Sequence, residues 1–580
     1  MNLPQPDSLQ PERGKSSLYK DGSYGESARS GPSLGGAAGG ATGAGTSARA
    51  SGGGSNPHGP AATGHGLPPP VATKIGAGTA AHSPTGAGDL ESGKLTPAEA
   101  AARVQALLAS AREALARRDH LKAQEQYLAA VRIDPACAAG FLGLGYVHHA
   151  LEQTQMAFDF FSQAVQIDPN LAEAWAERGR LRSREGNDKE ALLDLDRAIG
   201  LRPDLSEAWS YLGQVHLERK RYGEALMALE RASLLAPKDP QTWHQLALAL
   251  VGVKQLPRAL DAYDVCLRLD PTKPTIWREK ASLQERMGQL AEALASVEQG
   301  LQLNPHSHGA WFLKCYILYR LKRYAQMLHA GGQAVRLRKD HALSWHLIGY
   351  ASNELGRFEE AVTAFHNSIR LEGNHSGSWA NLAWSYERLG RNQDAFFAYT
   401  CALQNREDRA EILAARATVL LALNEKAKAL KDMEEASKLA RDSAPVLRRR
   451  GVLMARLGRW SEAESAYRKA LAVAPTDHVS WLALGDLYEA EGLRQNAETA
   501  YKHACDGAPD DPQAWYRRAL NVQVLSGAAP ALAMMDTVLM LKPRYAKAWT
   551  KRAELCEELG RPAAARESRQ RARELSADGE

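Results

Sequence analysis

The chain is 580 residues long and carries 72 Lys and Arg against 67 Asp and Glu, a formal charge of +5. That is too small and too evenly interspersed for a generic polyanion binder, which needs a basic face. Six cysteines, at 137, 266, 315, 401, 505 and 556, form no C-x-x-C pair and no cluster, so neither a disulfide framework nor a zinc site is expected, and a reducing compartment is. The opening MNLPQP lacks the basic start and apolar core of a secretory signal, and nowhere do about 18 apolar residues run together. A cytoplasmic protein without a membrane span is expected.

Residues 1–95 hold 21 of the 48 glycines, mixed with Ala, Ser, Thr and Pro, as in Gly31 to Gly45. Such a composition buries too little apolar surface to offset its conformational entropy, which predicts a disordered tail. Within it, Gly88 to Lys94 fits G-x-x-x-x-G-K, but Leu95 stands where a phosphate loop needs Ser or Thr and no strand pattern precedes it; nucleotide binding is not expected. Order is predicted from Thr96-Pro97-Ala98-Glu99, where a hydroxyl, a proline and a glutamate stand at capping-box spacing.

From there a 34-residue period takes over. Prolines recur at 135, 169, 203, 237, 271 and 305 and again at 475, 509 and 543, and tryptophan follows six residues after each grid point from 175 to 379 and from 481 to 549. Ten of the twelve tryptophans share that phase. Alanine holds another phase from Ala123 to Ala565, with Met327 the single exception. Between these marks the apolar spacing is helical, which predicts two helices per repeat, with small residues such as Gly179, Gly213 and Gly349 letting their axes approach and proline closing the second helix.

The pattern resembles the tetratricopeptide repeat family, whose signature is matched by Trp481, Leu484, Gly485, Tyr488, Ala497, Tyr501, Ala504 and Pro509. The resemblance implies an all-α solenoid, a right-handed superhelix of about fourteen helical hairpins over residues 96–580, with repeats beginning at 104, 138, 172 and every 34 residues to 546. It also implies a protein-binding function. No enzyme motif appears, and tail plus repeats account for the sequence, so no catalytic residue, cofactor or metal is expected.

In this family repeat positions 2, 5, 9 and 12 face a groove. That stripe gives Phe312, Tyr316 and Tyr319 in the seventh repeat, His346, Tyr350 and Asn353 in the eighth, and Trp384 and Glu387 in the ninth. Adjacent aromatics make a candidate anchor surface for a protein or peptide, and Arg448 and Arg449 of the eleventh repeat add a candidate basic cluster for an acidic or phosphorylated segment. The carboxylate clamp that holds chaperone C-termini is not supplied by any three consecutive repeats, and of the asparagine ladder of the glycosyltransferase repeats only Asn381 is present. The expected function is therefore a non-enzymatic scaffold or adaptor; the rival readings are a regulatory subunit of a separate enzyme and a nucleic-acid binder, the latter disfavoured by charge.

The same middle stretch departs from the pattern. Lys339, Gly373, Glu407 and Arg441 replace proline, Leu413 and Leu447 replace tryptophan, and Gly331 and Gly332 sit inside a predicted helix. Glycine costs a helix interior about 1 kcal/mol relative to alanine, so the array is expected to be weakest between repeats seven and ten.

Overall fold

The computed structural model describes residues 96–404 and 409–577; the tail predicted over 1–95 and the proline substitution at Glu407 lie outside them. The first helix begins where the capping box predicts. Thr96 donates its backbone N–H and its hydroxyl to the Glu99 carboxylate at 2.8 and 2.7 Å, and Pro97 opens the helix Pro97–Ala116. All the described secondary structure is helical, 28 helices in fourteen consecutive pairs. From the second pair on, first helices start on the predicted grid, at Ala138, Ala172, Ser206, Pro240, Pro274, His308, Ala342, Ser376, Ala444, His478, Pro512 and Ala546, with Arg409 one residue early. The first pair starts seven residues ahead of its grid point, directly after the Thr96 cap.

The Pro–Trp spacing has a cause that periodicity alone does not reveal. In all ten grid repeats the tryptophan Nε1–H donates to the backbone carbonyl of the residue six before it, at 2.8–3.0 Å, as Trp175 does to Pro169. Each indole thus clasps the turn that ends the previous hairpin. The clasp survives where proline is replaced, at Lys339 and Gly373. So does the helix stop: Arg338, Glu372 and Ala440 are as extended as Asp168 and Arg202, which precede prolines. Proline favours that conformation but is not required for it.

Inside each hairpin the two helices pack through a small-to-large pair sixteen residues apart. A Cβ built on Gly485 would stand 2.5 Å from the Tyr501 ring, and one on Gly145 2.3 Å from the Phe161 ring, so glycine here is a condition of close approach. All thirteen grid alanines are 0–1% exposed. The seventh repeat inverts the scheme. Its small position holds Cys315, its large position holds Gly331, and the alanine is Met327, which redistributes the same volume. Gly331 is therefore packed under Ile348 and Cys315, whereas Gly332 has no atom within 4 Å of its would-be Cβ and is a plain propensity loss.

The turn inside each hairpin places one residue at positive φ on the same period, from Arg118 and Glu152 to Gly492 and Gly560. Six of these are not glycine, Lys220 and Lys254 among them, and hold a conformation that L-residues disfavour. The thirteenth repeat departs: its first helix runs on to Ser526 and a single Gly527, at φ +90° and ψ −178°, links it to the second.

First helices of most successive hairpins also touch one another, and among the described residues no two second helices pack as closely, so the first helices form the inner layer. Their side chains bond in steps of about one repeat, as in Ser210 to Gln245, Tyr211 to Glu177 and His244 to Glu279. Between the tenth and eleventh hairpins this layer takes over. The second helix Lys426–Leu439 makes little contact with the first helix Ala444–Arg456, which packs instead on the first helix Arg409–Ala422. Leu413 and Leu447, standing for tryptophan, are themselves buried.

Candidate functional site

The predicted groove residues separate by burial. Phe312, His346, Asn353 and Arg448 are 4–9% exposed and hold the inner layer together. Phe312 meets His341 edge to face at 4.8 Å. His346 Nδ1 lies 2.9 Å from the Ser378 hydroxyl, and Ser385 donates to the Asn353 side-chain carbonyl at 2.8 Å. Arg448 donates to Asp477 at 3.1 Å.

Tyr316, Tyr319, Tyr350, Trp384, Glu387 and Arg449 are half-buried. The tyrosines come together. Tyr316 stacks on Tyr319 at 6.0 Å, Tyr319 meets Tyr350 of the next hairpin edge to face at 5.0 Å, and Tyr324 closes on Tyr350 at 6.3 Å. Such ring pairs contribute about 0.5–1.5 kcal/mol beyond area burial. Trp384 packs on Phe358 at 5.6 Å, over which Arg388 also lies. The surface is thus a tyrosine cluster spanning the seventh and eighth hairpins with a separate Trp–Phe step between the eighth and the ninth, and Tyr324, on a second helix, is a member that the first-helix stripe left out.

Burial pushes the Tyr350 and Tyr316 hydroxyls up, with Glu354 adding to the first and Glu285 to the second. Burial also raises Glu285, although Arg320 pairs with it from the next hairpin and pulls the other way. Glu387 accepts from the buried Tyr399 hydroxyl at 3.1 Å. Further along, Tyr501 lies 2.7 Å from Asp486 and 2.9 Å from Glu489, which Arg517 and Arg494 approach; burial raises Asp486 despite Arg517.

Among the described residues no group of three or more His, Cys, Asp or Glu could hold a metal ion, and no helix is long and apolar enough to cross a membrane. All six cysteines are free and five are buried; burial pushes the Cys266 and Cys315 thiols up to about 11 and about 12, which makes them poor nucleophiles.

Models of the tetratricopeptide repeat match residues 108–172, 176–242, 249–314, 347–410, 444–477 and 478–520. The chain belongs to the tetratricopeptide repeat family. Tetratricopeptide repeat proteins generally mediate contacts between proteins. Among solved structures, the chain is similar to the APC/C hetero-tetramer Cut9-Hcn1 at 14% identity, over 79% of this chain and 96% of that one, with a TM-score of 0.35. It is similar to yeast Tom70 at 15% identity, over 75% and 99%, with a TM-score of 0.35. To the pilF protein of Pseudomonas aeruginosa the figures are 22% identity, 36% and 95%, and a TM-score of 0.33. No curated protein sequence matches.

Proposed function

We propose that this tetratricopeptide array is a non-enzymatic scaffold whose inner layer of first helices receives an extended segment of a partner protein, anchored on Tyr316, Tyr319, Tyr350 and Trp384. The observation that carries the reading is the tyrosine cluster, in which half-buried rings from neighbouring hairpins meet to form one amphipathic surface. Tyr and Trp are the side chains most often found where binding energy concentrates, since they bring large contact area at small entropic cost. Phe312 belongs to the buried core against which Tyr316, Tyr319 and Tyr350 pack, and free cysteines suit a reducing, cytoplasmic compartment.

The test replaces Tyr316, Tyr350 and Trp384 together by alanine in the full chain and compares affinity capture by wild type and variant, with quantitative mass spectrometry of what is retained. Losing one anchoring aromatic typically costs about 2 kcal/mol or more in binding, so the partner that wild type retains is expected to be absent from the variant at an unchanged helical content. Retention of the same proteins in the same amounts, or a melting temperature far below wild type, refutes the anchoring role.

A further inference from the structure

The first helix of the eleventh hairpin, Ala444–Arg456, carries Arg448, Arg449, Arg450 and Arg456 and no acidic residue. Arg448 is buried and paired with Asp477. The other three are half-buried, and among the described residues no hydrogen bond or ion pair reaches them. Every other buried or half-buried arginine described has a partner, such as Asp194 for Arg178, Asp432 for Arg416 and Glu498 for Arg518. For Arg450 the reason is visible in the sequence. Arg178 and Arg416, at its repeat position, find their acids sixteen residues on, where Arg450 has Ala466.

Arg449 and Arg456 are seven residues apart, hence on one face about 10 Å from each other along the helix. Arg449 acts on the hydroxyl of Tyr399 and Arg456 on that of Tyr467, holding each down against the rise that burial imposes. The acids around them are engaged elsewhere: Glu387 with Tyr399 and Thr418, Asp486 with Tyr501 and Arg517, Glu489 with Tyr501 and Arg494, Glu464 with Arg468 and Tyr488. Glu411, on the neighbouring first helix, is engaged as well. Partly desolvated cations without counter-ions are costly to a fold.

We infer that Arg449 and Arg456 form an acceptor for an acidic stretch of the partner protein, carried by the segment that the tyrosine cluster and Trp384 anchor. The inference rests on that reading of the groove and adds the chemistry of the ligand. Two first-helix steps separate Trp384 from the arginine helix; at 8–10 Å between packed helices that is roughly 16–20 Å, or about five to six residues of extended chain. The partner segment therefore combines an apolar or aromatic residue with Asp or Glu at that distance. A nucleic acid fits less well, because Glu387 on one side and Asp486 and Glu489 on the other would face a continuous phosphate chain.

The experiment selects from a randomised twelve-residue peptide library on the full chain at low salt. Expected are peptides that pair an aromatic residue with Asp or Glu about five to six positions away; Arg449→Gln with Arg456→Gln should remove the acidic preference, keep the aromatic one, and weaken the best peptide at least tenfold. Aromatic peptides with no acidic preference, or a preference that survives in the double variant, overturn the inference and leave the groove reading standing. No enrichment at all overturns both. Tighter binding of a twelve-nucleotide single-stranded RNA than of the best peptide overturns the protein partner. A second measurement needs no ligand: Arg449→Met with Arg456→Met should slow native-state hydrogen exchange of the helix Ala444–Arg456 in the free chain by removing unpaired cations, and unchanged or faster exchange overturns the inference by showing the guanidinium groups to be satisfied without a partner.

Discussion

Two adjacent glycines in the helix Tyr324–Leu337 give a test in which the same substitution should have opposite signs. Gly332→Ala adds a methyl group with nothing within 4 Å, so only helix propensity changes, and the helix gains about 0.8–1.0 kcal/mol. Gly331→Ala gains the same, but its Cβ would stand 2.7 Å from Ile348 Cγ1 and 3.4 Å from Cys315 Sγ. The first contact falls on a mid-chain atom that cannot swing aside alone. Overpacking of this kind costs about 1–3 kcal/mol, leaving a net loss of about 1 kcal/mol. The neighbours should therefore differ by about 2 kcal/mol, roughly thirtyfold in local opening at the usual 1.4 kcal/mol per factor of ten. Because a solenoid opens unit by unit, a single global unfolding energy is the wrong measure. Native-state hydrogen exchange of the amides between Tyr324 and Leu337 is the right one. Exchange about fivefold slower in Gly332→Ala and about fivefold faster in Gly331→Ala is expected. Slower exchange in both would mean that Gly331 is not packed as described, and that the Cys315–Gly331 inversion carries no weight.

Trp345→Phe and Trp175→Phe each remove one indole–carbonyl clasp and should each cost about 1 kcal/mol; since the acceptor is backbone in both, Lys339 and Pro169 should make no difference, and a loss confined to the proline-bearing repeat in hydrogen exchange would refute this. Lys254→Gly relieves a residue at φ +64°. The left-handed penalty of about 1–2 kcal/mol less the entropy of glycine, about 0.5–1, predicts a net gain of about 0.5–1 kcal/mol, and Gly288→Ala, at φ +79°, the reverse; unchanged hydrogen exchange in the mutated hairpin of either variant counts against it. Asp486 is raised by burial, so the fold favours its neutral form. Its contribution is fully present below the unfolded value of about 4 and is lost as pH rises through the higher folded value. Asp486→Asn should flatten that part of the pH dependence of hydrogen exchange around Tyr501, and an unaltered slope would show the carboxyl to be solvated.

Helix boundaries were legible because period, proline and alanine all report the same event, the packing of one hairpin on the next. Trp481, Gly485 and Ala497 each occupy the place that the spacing assigns. Less was legible where volume is exchanged between positions. Gly331 looks like a helix defect until Cys315 and Met327 are seen to supply the bulk it lacks, and no one-dimensional pattern pairs residues sixteen apart by size. The groove stripe suffered similarly. Helical periodicity puts Phe312, His346 and Asn353 on the same face as Tyr316 and Tyr350, but a stripe has width. Its edge turns into the neighbouring first helix, where Ser378 and Ser385 take up His346 and Asn353. Tyr324 was missed because it enters the cluster from a second helix. The positive-φ grid was hidden because six of its fourteen described positions are written in lysine, arginine, glutamate or asparagine instead of glycine. The arginines of the eleventh hairpin were half visible as a run; their lack of partners needed the three-dimensional neighbourhood.

The indole clasp also acts as a ruler. It joins the last turn of one hairpin to the first turn of the next over a span of six residues, so a residue added or lost within that span would break the bond and shift every later hairpin. The turn inside a hairpin has no such ruler. The thirteenth repeat shows the difference: its first helix is extended and its internal turn shrinks to Gly527, yet Trp549 still meets the Pro543 carbonyl at 2.8 Å. A change of conformation inside a hairpin is thus absorbed within that unit and does not reach the joint to the next. A tag or a foreign loop belongs at the inner turn of a hairpin, near Gly458 for example, and the same graft between Pro475 and Trp481 would disconnect the twelfth hairpin from the eleventh.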